Sequence, residues 1–156
     1  MSSKTFQEKS RFPIFIVMLL IFQLIVTTLI LRKNGEFDMT IVYITVPLVL
    51  LFTFSILKLN LNKNYFEYSL FPFTFTSKKL EWNDINEIQI VKVNPLFDFG
   101  GWGIRLSKKY GKSFIMGSND IVFLKLKNGK KRSFSIKNKE ALVEFFNENN
   151  IPYEIN

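Results

Sequence analysis

Histidine and cysteine are both absent from the 156 residues. That removes Ser-His-Asp and Cys-His nucleophilic catalysis, His/Cys zinc sites and any disulfide framework in one step. Carboxylate, lysine and tyrosine chemistry remains, but no two acids stand at a spacing that suggests a general acid and base. The chain therefore reads as a non-enzyme with no cofactor and no metal ligand set. Its distinctive residues suit recognition instead. Lys108, Lys109 and Lys112, followed by Lys125, Lys127, Lys130, Lys131 and Arg132, form a basic set late in the chain. Brought together by neighbouring hairpins, they would attract an acidic protein or anionic headgroups. The plainer reading is a solvated charged edge that discourages strand pairing between molecules. Three glycines in four positions, Gly100, Gly101 and Gly103, surround Trp102 ahead of Arg105 and permit positive φ and close backbone approach. Trp102 and Arg105 present an indole and a guanidinium to a ligand, or else Trp102 is core and Arg105 pairs with Asp98.

The elements that must position these residues begin with two apolar runs. Ile14 to Leu31 and Met39 to Leu57 carry no charge. At about 1.5 Å per residue each just crosses a core about 30 Å thick. Arg32-Lys33-Asn34-Gly35-Glu36-Phe37-Asp38 between them favours water and a turn. A cleaved signal peptide has a shorter apolar region ended by small residues, whereas this run ends in Leu31-Arg32-Lys33. A hairpin buried in a soluble core needs far more protein around it than 156 residues supply. The sequence thus predicts a transmembrane helical hairpin over residues 13–58, after a loosely ordered basic tail, residues 1–12, with Phe6 and Phe12 as interfacial anchors. Five flanking Lys and Arg residues (Lys4, Lys9, Arg11, Lys58, Lys63) against two in the turn place both termini in the cytoplasm. Gln23 and Thr27 lie on one face, placed to bond Thr45 or Thr53 across the pair, and Pro47 is placed to kink the second helix. With no ionisable residue inside either run, no transport pathway is expected.

Beyond the hairpin the apolar period changes to two, over residues 59–156. Leu59 and Leu61, then Phe66, Tyr68 and Leu70, alternate with polar residues about a turn at Lys63-Asn64. Phe71-Pro72 interrupts, Phe73 to Thr76 resumes, and a third strand runs to about Trp82. A fourth spans Ile88 and Ile90. A fifth begins near Trp102, a sixth covers Ser113 to Met116, and Asp120 to Lys127 meets its return strand across Asn128-Gly129, read as a type I′ turn. Asn138 caps a closing helix whose Leu142, Phe145 and Phe146 share one face. The stripe of Phe66, Phe73 and Phe75 is expected in the core.

Net charge is +8, with six basic against three acidic residues up to Lys58 and fifteen against ten beyond. That balance keeps a domain soluble and suits an anionic leaflet, but it lacks the concentrated footprint of a nucleic-acid binder.

Trp82-Asn83-Asp84-Ile85, Phe97 to Arg105, Asn128-Gly129-Lys130 and the closing helix together resemble the bacterial pleckstrin-homology-like (PH-like) domains, over about residues 57–150. The resemblance implies a membrane-anchored α+β protein: a seven-stranded PH-like β-barrel or bent sheet, closed by a C-terminal α-helix and preceded by membrane helices. It implies no activity. Eukaryotic phosphoinositide-binding PH domains carry a basic motif in the first hairpin, where Asn62-Lys63-Asn64 offers one lysine, so inositol phosphate binding is not carried over. The expected function is a module of the bacterial cytoplasmic membrane presenting a surface to a protein partner or to acidic headgroups. The alternative is an accessory subunit of a transporter or envelope complex in which the hairpin does the work.

Overall fold

The computed structural model describes residues 5–33, 39–74 and 76–156. Lys4, Phe75 and residues 34–38 of the expected charged turn lie outside them.

The chain is α+β, with an N-terminal apolar helix and two β-sheets. Strand β1 (Phe6–Arg11) leads through Phe12 and Pro13 into helix α1 (Ile14–Lys33). Within it, Ile14–Arg32 is 19 residues of mean hydropathy 2.9, long and apolar enough to cross a bilayer, and none of it is buried in protein. The second helix, α2 (Thr40–Phe54), has 15 residues, about 22 Å, short of the hydrocarbon thickness. This corrects the expected run to Leu57. Ser55 turns extended, and strand β2 (Ile56–Leu61) begins at once, because Leu57, Leu59 and Leu61 follow a strand period and are claimed by the core. Of the helix threonines, Thr27 and Thr53 do not bond across the pair. The Thr27 and Thr53 hydroxyls donate to Gln23 and Val49 four residues back, at 2.8 and 2.7 Å, so they satisfy their own helices.

The expected loose tail is likewise corrected. β1 pairs along its length with β2, from Phe6 opposite Leu61 to Arg11 opposite Ile56. Phe6 and Ser10 are buried while Gln7, Lys9 and Arg11 face out. Glu8 accepts hydrogen bonds from the backbone N–H groups of Lys137 (2.8 Å) and Asn138 (3.0 Å), tying the strand to the start of the C-terminal helix.

β3 (Tyr65–Phe71) and β4 (Lys78–Glu81) complete a sheet of order β1-β2-β3-β4. Of the strand expected over Phe73 to Thr76, the described residues form no strand: Phe73 lies in a turn closed by the Thr74 N–H donating to the Leu70 carbonyl at 2.7 Å. Phe73 is half exposed there rather than in the core. A 3-10 turn at Trp82–Asp84 leads to β5 (Ile85–Lys92), then to the short helix α3 (Pro95–Phe99), which the glycine-rich segment did not announce. Asn94 caps α3 by accepting from the Leu96 and Phe97 N–H groups. β6 (Gly103–Ser107), β7 (Gly111–Ile115), β8 (Asp120–Leu126) and β9 (Lys131–Ile136) follow. Helix α4 (Lys139–Glu148) and β10 (Glu154–Ile155) end the chain. The second sheet has the order β10-β5-β8-β9-β7-β6, with β7 parallel to β9 and β10 parallel to β5. The described residues thus hold ten strands in two sheets and no closed barrel.

The main core lies between the sheets, under α4. Phe134 is its hub, with ring centroids 4.9 Å from Phe66, 4.6 Å from Tyr68 and 5.2 Å from a stacked Phe114. Leu142, Phe145 and Phe146 enter it from the face predicted for the closing helix, and Asn138 caps that helix on Ala141 N–H at 3.0 Å. A second core of Val93, Phe99, Tyr110, Ile115, Ile121 and Phe123 covers the sheet's outer face beneath α3. Because both faces are covered, Ile121 to Leu124 is one continuous buried run.

Candidate functional site

The two helices leave the sandwich at one end. Arg11 and Ile56, the last and first residues of paired strands, stand directly below α1 and α2. Phe12 packs edge-on to Phe52 of α2 with centroids 4.7 Å apart, Phe15 of α1 packs on Trp102 at 5.2 Å, and the Arg11 carbonyl lies against Gly117. This end, the helix end, therefore includes the starts of β6 and β8 and the close of β7 and β9.

Strand direction sends the basic set to the opposite end. β6 runs from Gly103, beside Phe12, toward Lys108. At about 3.3 Å per residue those five steps amount to about 16 Å. β8 likewise runs from Asp120, beside Ile136, to the turn at 127–130. The parallel register of β7 and β9, with Lys112 opposite Arg132, puts the two turns side by side. Gly111 makes the approach: its φ is +68, and a Cβ there would run into the backbone of Lys131. Ser133 and Ser135 fasten the same pair, Ser133 Oγ donating to the Tyr110 carbonyl (2.9 Å) and Ser135 Oγ accepting from Met116 N–H (2.7 Å).

The set wraps around the sheet end. Arg132 and Lys112 extend the row of buried Leu124 on the main-core face, and Lys125 and Lys131 lie opposite each other on the outer face. Lys108, Lys109, Lys127 and Lys130 are exposed in the two turns. Glu87 faces Lys125 at 3.4 Å, the one ion pair within this set among the described residues. Lys112 sits 5.7 Å from the Phe114 ring centre and Lys109 4.8 Å from that of Tyr110. A hydrogen bond with Tyr110, then its charge, raises Lys109 above the ordinary lysine value, so it stays cationic. The 127–130 connection is not the expected type I′ turn. Gly129 has φ +80, Asn128 has no positive φ, and Gly129 N–H donates to the Leu126 carbonyl at 2.9 Å. That is a three-residue loop with glycine in the left-handed position.

Eight like charges with one carboxylate among them form an anion-attracting surface and no catalytic constellation. The structure brings together Lys108, Lys109, Lys112, Lys127, Lys130, Lys131 and Arg132, and separates two residues read with them. Trp102 lies at the helix end, half-buried between Phe15 and the second core. Arg105 is exposed midway along edge strand β6, its guanidinium near Gly101. It does not pair with Asp98, whose carboxylate accepts from the Asn94 N–H at 2.7 Å. Sequence reasoning missed a mixed polar and apolar groove of about 310 Å³ beside the basic end, lined among others by Trp82, Asn83, Asn86, Ile88, Asn149 and Ile151. Trp82 is fixed there because its indole N–H donates to the Asn62 carbonyl at 2.8 Å. Its signal was asparagines clustered at Asn83 and Asn86 and again at Asn149 and Asn150. No family model, no curated protein and no solved structure matches the chain.

Proposed function

We propose that the chain is a non-enzymatic, membrane-anchored PH-like module. It is held in the bacterial cytoplasmic membrane by α1 and α2 with both termini cytoplasmic, and it recruits an acidic protein partner through its basic end. The observation that carries this reading is polarity along the strands: the basic set lies at the end away from the helices. A separation of about 16 Å is twice the Debye length of about 8 Å at physiological ionic strength. Attraction to the chain's own leaflet is screened at that distance, so among anionic partners a protein is favoured over headgroups. The PH-like assignment draws on two packed sheets with a C-terminal helix sealing the core between them, and departs from it in strand number and closure. For α2, local bilayer thinning accommodates a short span at modest cost.

The alternative, an accessory subunit working through its helices, is favoured by one observation: no α2 residue is buried, so the helix has faces free for a neighbouring membrane protein.

The chain's lack of cysteine allows a direct test. Asn128→Cys, carrying a photo-crosslinker, is expressed in native membranes and illuminated. A stoichiometric adduct with one acidic protein is expected. Adducts with lipid alone, or none while a crosslinker on α2 captures a protein, would overturn the recruiting role.

A further inference from the structure

We infer that the helix end of the β-sandwich carries a second membrane contact: Phe71, Phe73, Leu96 and Phe97 sit in the headgroup–acyl boundary and fix the sandwich upright on the bilayer. The inference rests on the membrane-anchored reading proposed above and goes beyond it.

Four observations lead there. First, no linker separates helices from strands: Phe12 and Pro13 alone join β1 to α1, and Ser55 alone joins α2 to β2. The paired strand ends therefore lie within one or two residues of the apolar helices. Second, Phe71 is on the same cross-strand row as Ile56 and Arg11, and the turn after it presents Phe73 beyond that row. They are 47% and 50% exposed although their strand's inward residues are fully buried. Third, both flanks of α3 are anchored at the same end, while its last residue, Phe99, reaches along the outer face to Tyr110, with ring centroids 5.3 Å apart. The N–H of Val93 before it donates to the Asn119 carbonyl, and the ring of Trp102 after it rests on Phe15 in the first turn of α1. The helix turns Pro95 and Phe99 inward and leaves Leu96 56% and Phe97 89% exposed. Fourth, Arg11 on this edge is exposed and cationic, which suits an anionic leaflet.

An apolar rim continuous with a membrane helix and bearing aromatic rings has the composition of an interfacial belt. The contrast with the other end sharpens the choice of occupant. The exposed side chains of the 108–110 and 127–130 turns are lysines and an asparagine, while the helix end sets exposed Phe71 and Phe73 among Arg11, Lys92 and Lys137. Continuity with α1 and α2 commits the rim to lipid, and a second copy or a separate protein becomes an outcome of the test.

Full-length protein carrying a single Phe73→Cys, Phe97→Cys, Asn128→Cys or Ile25→Cys change is labelled with an environment-sensitive fluorophore. Each is reconstituted into vesicles of phosphatidylglycerol and phosphatidylethanolamine containing spin-labelled lipid. Loss of emission at 73 and 97 with the spin near the headgroup, no loss at 128, and loss at 25 with the spin in mid-chain are expected. Labels at 73 and 97 that are open to aqueous iodide, or shielded from both iodide and lipid spins, overturn the inference; the second result assigns the rim to protein. A label at 25 that no lipid spin quenches overturns the membrane-anchored reading itself. Unchanged Trp82 and Trp102 emission confirms that each variant is folded.

Discussion

The six-stranded sheet has two ends made from the same strands and finished in opposite ways. At one, Trp102, Phe12, Phe15 and Phe52 interlock and the chain passes into helices within two residues. At the other, two turns spread seven lysines and an arginine around the last core row, with Glu87 in the one close ion pair to them among the described residues. The two cores between them say nothing about either. The difference teaches that the packing of the sandwich holds two unlike surfaces at a fixed separation, and under the proposed function that separation makes it a spacer.

Changes that collapse the spacer should have the largest effect and lose both ends together. Phe134→Ala empties the hub between Phe66, Tyr68 and Phe114 and is expected to cost about 3–5 kcal/mol, read by denaturant unfolding of the full chain in micelles. Loss of less than about 1 kcal/mol would show that the two sheets do not depend on this contact.

A glycine pair at the basic end divides backbone freedom from close approach. Gly111 and Gly129 both have positive φ, but a Cβ at Gly111 meets the Lys131 backbone while one at Gly129 meets open space. Gly129→Ala should cost about 1 kcal/mol and Gly111→Ala clearly more, since the β7–β9 seam must also shift. Equal losses would mean that the seam is loose and the basic turns are not held side by side.

Glu8 joins the first strand to α4. Glu8→Gln keeps the shape but weakens two charge-assisted acceptor bonds, and a loss of about 1 kcal/mol is expected, with faster amide exchange at Lys137 and Asn138 as the local readout. Unchanged exchange there would show that β1 is held by Phe6 alone.

The smallest effect is at Glu67, on the face away from both ends. The Ser77 hydroxyl lowers its carboxyl pKa first, and desolvation opposes this; Asn60 and the charge of Lys79 add to the lowering. A folded value below the unfolded one adds stability above the ordinary value of 4.5, lost as pH falls through the folded value. Glu67→Gln should therefore flatten the acid limb of the thermal midpoint against pH and leave the neutral limb's slope alone. A changed slope near neutrality would assign the titration elsewhere.

Much of this organisation was legible in the residues. The period change after the helices, the Asn138 cap and the Leu142, Phe145, Phe146 face each rest on local rules, and each stands in the structure. β1 was not legible because its inward face holds Phe6, Glu8 and Ser10, one apolar residue and two polar ones whose partners lie far along the chain. Nor was the end of α2: nothing within Phe54-Ser55-Ile56-Leu57 separates a lipid-facing leucine from a core leucine, and only the pairing of Leu57 with Leu70 decides it. The basic residues were legible as a set, but the meeting of their two turns was not, since it follows from the parallel β7–β9 pairing, which sequence spacing does not reveal.

The central claim is that the end away from the helices recruits a protein. Neutralising Lys127, Lys130, Lys131 and Arg132 to glutamine leaves exposed or half-exposed side chains of similar size, so stability should stay within about 0.5 kcal/mol. Affinity capture of the full-length protein from gently solubilised native membranes, compared with this variant and with one whose two helices are replaced by unrelated apolar helices, is the decisive measurement. The account predicts a stoichiometric acidic partner retained by the helix replacement and lost by the neutralised variant. A partner retained by the neutralised variant and lost with the native helices would contradict it and move the function into the membrane.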